Sequence, residues 1–351
     1  MSWDTMTWKD IVDIRNGKSQ KEVMSDDGKY PIIGSSGKPI GYAKEYLCEA
    51  NSTIIGRKGT INNPILIEYN YWNVDTAFGL HSKKGLHFKF LYYFCKSFDF
   101  TKLDKGSGRP SLVKSDLLKI KMPVPEISEQ KQIVETLDKA FEKIDKAIAN
   151  IERNIENAEE LFQSKLSQIF SETDGGFEMT WEDVVDIRNG KSQKEVMSDD
   201  GKYPIIGSSG KPIGYAKEYL CEANSTIIGR KGTINNPILI ENNYWNVDTA
   251  FGLHSKDGLH YKFLFYFCKS FDFTKLDKGS GRPSLVKSDL LKIKMPVPKT
   301  IEQKEIVETL DNLNNNVKAI ISVYKKELIN LEELKKSILE KAFKGELTSA
   351  A

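Results

Sequence analysis

Three glycine-rich loops carry the cations best placed to engage a ligand: "GSSGKPIGY" at 34–42, "GRKGT" at 56–60 and "GSGRPSLVKS" at 106–115. The first offers Ser35, Ser36 and Lys38, the second Arg57 and Lys58, the third Arg109 and Lys114, and Lys18 follows Gly17 in a similar setting. Arg and Lys held this way contact phosphates or guanine edges, and glycine lets the backbone come close to a ligand. Any one of them, taken alone, reads equally well as a solvated turn charge. The same letters recur 173 positions later, adding Lys191, Ser208, Ser209, Lys211, Arg230, Lys231, Arg282 and Lys287 to the candidate DNA-binding set. With a net charge of only +2, nucleic-acid binding must come from such local loops rather than from a global field.

Catalytic readings of the same chain are weaker. "NNPI" at 62–65 lacks the second proline and the aromatic of an amino-methyltransferase motif, so it reads as a turn. Asp116 with Glu129 and Lys131 has the acid and E-x-K spacing of a metal nuclease, but Glu129 falls at an expected helix start, where a carboxylate complements the dipole. "GSSGKP" has Pro39 where a phosphate-binding loop needs Ser or Thr. His81, His87 and the cysteines lack zinc-ligand spacing. The chain is therefore read as no enzyme, with no catalytic residue, metal or cofactor of its own.

The elements that must position these loops come in duplicate. Met6 to Pro125 aligns without a gap on Met179 to Pro298, with six differences in 120 positions: Lys9/Glu182, Ile11/Val184, Tyr69/Asn242, Lys84/Asp257, Phe88/Tyr261 and Tyr92/Phe265. A period this long makes each copy a domain rather than a solenoid repeat. The 351 residues suit about two domains of ~150 residues. Apolar residues at 39% and charged ones at 28% indicate a globular chain. The absence of any apolar run near ~18 residues, with no leader pattern at "MSWDTMTWKD", points to the cytoplasm. Cys48, Cys95, Cys221 and Cys268 show no C-x-x-C spacing and read as reduced structural thiols.

Within each copy, "YPIIGSS", "STIIGR", "PILIEYNYW" and "LLKIKMPV" have strand character and "FKFLYYFCKSF" reads as a helix, a mixed α/β domain. After each copy comes a long stretch without Gly or Pro. Ile133, Leu137, Ile144, Ile148, Ile151 and Ile155 form an apolar stripe in the first, and Leu310, Leu313, Val317, Ile320, Leu328 and Leu331 form one in the second. Ser128 and Thr300 are candidate N-caps and Gly345 a stop. More than forty helical residues make a rod on the order of 60 Å. Neither stripe can stay in water, so the two helices are expected to pair antiparallel as a coiled-coil spacer holding the domains apart. The arrangement has an internal pseudo-two-fold axis, which matches an inverted repeat in double-stranded DNA. The competing class is a symmetric coiled-coil scaffold whose end domains bind protein or peptide.

"STIIGRKGTIN", "YWNVDTAFGL", the junctions "KIKMPVPEISEQKQIVETLD" and "KIKMPVPKTIEQKEIVETLD", and the terminal "LKKSILEKAFKGELT" together resemble the specificity subunit of type I restriction-modification systems along nearly the whole chain. In the first half the ending is degenerate, "KLSQIFSE". The resemblance implies two target-recognition domains, at 1–125 and 173–298, a central helical spacer at 126–172, a C-terminal helical spacer at 299–347 and a tail at 348–351. It also implies partners: two modification subunits carrying S-adenosylmethionine, docked through the helices, and ATP-driven restriction subunits recruited through the complex, with no membrane role. Family members usually carry two unlike recognition domains, whereas here the two are almost the same. The target implied is therefore an inverted repeat with identical half-sites around an unread spacer.

Overall fold

The computed structural model describes residues 3–104, 108–172, 177–277 and 281–347, and the chain divides into two compact units, Met1–Ile151 with Lys326–Ala351, and Glu152–Lys325. Candidates on 105–107, 278–280 and the tail at 348–351 lie outside the described residues.

The first unit opens with β1 (Asp4–Thr7), the single turn α1 (Trp8–Ile11) and β2 (Val12–Asn16). Six strands follow: β3 (Tyr30–Ile33), β4 (Pro39–Ala43), β5 (Ser52–Gly56), β6 (Ile65–Ile67), β7 (Trp72–Asn73) and β8 (Ala77–Ser82). Then come α2 (Phe88–Ser97), a 3-10 turn (Phe100–Leu103), α3 (Lys114–Leu117), β9 (Lys121–Val124) and the start of α4 (Ile127–Glu172). The main sheet is antiparallel in the order β2-β8-β5-β6. A smaller sheet runs β4-β3-β7 with β3 and β7 parallel, and β1 pairs with β9. β5 is buried at every residue, which is why "STIIG" reads as an unbroken apolar run rather than an alternating one. Of "LLKIKMPV", only Lys121–Val124 is strand: Leu117 closes the α3 turn and is itself fully buried.

The second unit repeats this at the offset of 173, through β10 (Phe177–Thr180), α5 (Trp181–Val184), β11 (Val185–Asn189), β12 (Tyr203–Ile206), β13 (Pro212–Ala216), β14 (Ser225–Gly229), β15 (Ile238–Ile240), β16 (Trp245–Asn246) and β17 (Ala250–Ser255). It continues with α6 (Tyr261–Ser270), a 3-10 turn (Phe273–Leu276), α7 (Lys287–Leu290), β18 (Lys294–Val297) and the start of α8 (Thr300–Phe343). Its main sheet, β11-β17-β14-β15, has the same pairing.

Both long helices begin earlier than their expected caps. Glu126 and Lys299 carbonyls accept the first helical bonds, from the Gln130 and Gln303 amides, so Ser128 and Thr300 lie inside the first turn. At its other end α8 stops as expected: Gly345 takes φ +76°, its amide donates to the Ala342 carbonyl, and the Glu346 amide donates to that of Lys341.

In the first unit the beginning of α4 and the end of α8 lie in one core with the domain, so the helices run antiparallel there. Ile133, Leu137, Leu339 and Ala342 share a cluster with Trp8, Phe90 and Met122. The Phe343 ring sits 5.1 Å from Phe90 and 5.5 Å from Phe94. In the second unit the end of α4 and the beginning of α8 do the same, with Phe162, Leu166, Leu310 and Val317 against α6 and Phe170 at 5.2 Å from Phe263. The stripes thus bury their ends in the globular cores and not only against each other. Ile144 is buried, while Ile148, Ile151, Ile155, Leu313, Leu328 and Leu331 are half-buried. Ile320 is a correction: it is 46% exposed, and Ile321 packs against the core in its place. From Val317 the inward face is reached by a step of four, because a 3.6-residue turn alternates steps of three and four.

Each domain is locked to its helix by polar groups. The wholly buried Gln130 accepts from the His87 amide at 2.8 Å and donates to the carbonyls of Pro125 at 2.8 Å and Gly85 at 2.9 Å. Gln303 repeats this with His260, Pro298 and Gly258. Asp138 accepts from the Tyr93 hydroxyl and from Lys89, and Asp311 from Tyr266 and Lys262.

Candidate nucleic-acid interface

One end of the main sheet gathers the glycine loops. β2 and β5 finish there and β8 begins there, since Asn16 pairs with Phe78 and Gly56 with Ala77. Lys18 follows β2, with its amide on the Asn73 carbonyl, and is exposed. The turn at 34–37 closes with the Gly37 amide on the Gly34 carbonyl, leaving Ser36 and Lys38 exposed and Ser35 half-buried. In the second unit the equivalent turn abuts the end of β14: a β-carbon on Gly229 would lie 3.1 Å from that of Ser208.

The second and third loops are zipped together. Gly59 donates to the Pro110 carbonyl at 2.8 Å and Leu112 to that of Arg57 at 2.9 Å, while Asp104 Oδ1 accepts from the Ser111 amide at 3.0 Å. Arg57 stands over the Phe78 ring at 5.7 Å, half-buried, and Lys58 and Arg109 are exposed beside it. Ring and zipper hold both loops in fixed relation, so their cations form one patch pre-ordered for a polyanion. Arg230, Lys231, Arg282, Lys191, Ser208, Ser209 and Lys211 repeat the arrangement.

Lys114 and Lys287 stand apart from this patch. Their ammonium groups donate to the Ile14 and Ile187 carbonyls of the edge strands β2 and β11, so they tie the third loop to the sheet. An edge-strand carbonyl 100 residues away has no signature in the chain, so the sequence alone presents both lysines as ligand-facing. β4 adds exposed Ile40 and Tyr42 next to Lys38 in the chain, with Ile40 the extra residue where the pairing with β3 shifts register.

Other candidates have structural work. Asn62 of "NNPI" accepts from the Phe100 amide, Asp116 pairs with Lys119, and Glu129 accepts from the Trp3 indole. Among the described residues no group of three or more His, Cys, Asp or Glu could hold a metal, and no helix is long and apolar enough to cross a membrane. All four cysteines are free and buried, and burial pushes the Cys48 thiol up to about 11.

The six differences between the copies avoid the loop-bearing end. Lys9, Ile11 and Lys84 meet at the far end of the sheet, where the Lys83 amide bonds the Ile11 carbonyl. Tyr69 sits in the β6–β7 turn beside Ala50, ahead of β5, and a five-residue strand puts about 15 Å between it and Gly56. Phe88 and Tyr92 lie on α2.

The family described as "Type I restriction modification DNA specificity domain" matches residues 1–157 and 176–331. The Type I restriction enzyme MjaVIII specificity subunit of Methanocaldococcus jannaschii is 25% identical over 408 residues, covering 98% of this chain and 93% of that protein. A chain solved in work on complex assembly and conformational transition of the type I R-M system superimposes with a TM-score of 0.83 at 16% identity, over 98% of both chains. The HsdS subunit of Thermoanaerobacter tengcongensis gives 0.58 at 16% identity, over 98% of this chain and 97% of that one. At these identities the two structures share the fold.

Proposed function

The chain belongs to the type I restriction modification DNA specificity family, and we propose that it is the DNA-reading subunit of such a complex, recognising an interrupted inverted repeat with identical half-sites. The observation that carries the identical halves is the location of the six differences: every residue of the three glycine loops is the same in both domains, and the three differences that change polarity or charge, Lys9/Glu182, Tyr69/Asn242 and Lys84/Asp257, lie at the opposite end of the sheet. Two domains with the same reading surface read the same bases.

In this reading Lys18, Lys38, Arg57, Lys58 and Arg109, with their counterparts, meet phosphates and base edges, while Ile40 and Tyr42 offer apolar contact to a groove. The helices seat two modification subunits, which bring S-adenosylmethionine, and restriction subunits bring ATP. The chain itself contributes recognition and no chemistry.

The test is a methylome. The chain is expressed with its modification subunit in a methylation-free host, and modified bases are mapped by long-read sequencing. A split inverted repeat with equal halves is the expected result. An asymmetric motif would overturn the identical halves. Absence of methylation from an assembled complex would favour a protein-binding scaffold instead.

A further inference from the structure

Because the two domains are nearly identical while the helices beneath them are not, the molecule contains its own comparison. Lys96 on α2 and Lys269 on α6 occupy the same position, but Lys96 is exposed whereas Lys269 is half-buried. Burial, and then the charge of Lys335, push the Lys96 ammonium down, but here the helices also supply acid that opposes them: Asp145 pairs with Lys335 at 2.6 Å, and Glu332 stands 3.3 Å from the same ammonium. At the equivalent α8 positions of the second unit, Phe141, Glu142 and Asp145 are replaced by Asn314, Asn315 and Lys318.

The result is a groove of about 800 Å³ between α6 and the two helices, lined by Lys269, Lys318, Asn236, Asn314 and Asn315 over Phe265 and Tyr266. Among the described residues neither Lys269 nor Lys318 has an ion-pair partner: Lys262 holds Asp311 at 2.7 Å, and the rim carboxylates Glu159 and Glu241 pair with neither lysine. Burial, and then the charge of Lys318, push the Lys269 ammonium down from its ordinary value, and no carboxylate opposes them. Half-buried Lys269 and exposed Lys318, neither in an ion pair, line one concave site with the amides of Gln163, Asn236, Asn314 and Asn315, and Glu159 and Glu241 also line it; together the cations and amides offer an anion several donors.

We propose that the groove of the second unit binds a small oxyanion ligand, phosphate or carboxylate, between Lys269 and Lys318. The amides of Asn314 and Asn315 supply neutral donors, and the first unit, whose helices bring Asp145 and Glu332 beside Lys96, lacks the preference. The two halves of the molecule, alike in their reading loops, thus differ in what their helices can hold.

The experiment is a thermal melt of the full chain against inorganic phosphate and, separately, succinate, at ionic strength held constant with sodium chloride. The wild-type midpoint is expected to rise saturably, by about 2 °C or more at ten times the dissociation constant. Lys318→Asp, which gives this position the acid of the first unit, should abolish the rise, as should the milder Lys318→Asn if the first variant folds poorly. Response to one probe alone identifies the oxyanion class, and response to both leaves the site general for oxyanions. The Arg57→Ala/Arg230→Ala chain should respond like wild type, which separates this groove from the DNA-reading loops. No saturable response to either probe, or an equal response in both Lys318 variants, overturns the proposal.

Discussion

Gly59 abuts the Nε–Nη2 edge of the Arg109 guanidinium: a β-carbon there would sit 2.8 Å from Nη2, and the backbone already takes φ +85°. Gly232 and Arg282 repeat the pair, again at 2.8 Å. Two loops fifty residues apart are thereby one structural feature, in which the bare backbone of one supports the cation of the other.

Alanine at Gly59 and Gly232 forces a side chain into left-handed backbone and displaces both arginines. Each substitution should cost about 1–2 kcal/mol of stability. DNA affinity should fall as it does in Arg109→Ala/Arg282→Ala. Urea melts and fluorescence anisotropy with a cognate duplex check the two effects separately.

Arg57 and Arg230 are expected to contact phosphate. Their replacement by alanine should weaken binding to cognate and random duplexes alike. It should also flatten the plot of log affinity against log salt by about 1 per lost phosphate contact. An unchanged slope, measured by anisotropy across a salt series, removes both arginines from the interface.

Gln130→Ala leaves the His87 amide and the Gly85 and Pro125 carbonyls without their partner at a wholly buried site. A loss of about 2–4 kcal/mol is expected, since one to three is usual for each buried group left unsatisfied and water can partly fill the space. Gln303→Ala should behave alike. The urea midpoint is the readout.

Helix burial gives a matched pair. Leu137 is fully buried against the domain core, so Leu137→Ala should cost about 2–5 kcal/mol and Leu137→Lys should prevent the first unit from folding. Ile320→Lys, on the exposed face of α8, should change stability by less than about 0.5 kcal/mol. Circular dichroism melts distinguish them.

Acid should destabilise the fold before any carboxylate titrates fully. Burial, aided by the Arg15 and Arg188 charges, holds His81 and His254 down at about 4, and burial also lowers His87 and His260. The unfolded chain takes up these protons near the ordinary 6.5, so the folded state is favoured in full above that pH and loses ground as pH falls towards 4. The His81→Gln/His254→Gln variant should show a flatter melting midpoint between pH 6.5 and 4 than the parent.

The chain alone determines the duplication, the mixed α/β class, the two long helices and the cationic glycine loops. All of these rest on local periodicity or on identity between copies, which neighbouring residues suffice to reveal. The loops could be named in advance because glycine beside arginine is legible without a fold. Only the tertiary structure decided which of those cations face outward: Arg57 and Lys58 are collected at one end of the sheet, while Lys114 is drawn to the Ile14 carbonyl. It also chose Ile321 over Ile320, since both are apolar and only the packed partner selects the face. The same holds for the groove at Lys269, a lysine identical in both copies that acquires its character from helix residues nearly fifty positions away. Register, facing and electrostatic surroundings are properties of pairs of distant residues, and a pair exists only once the chain has folded.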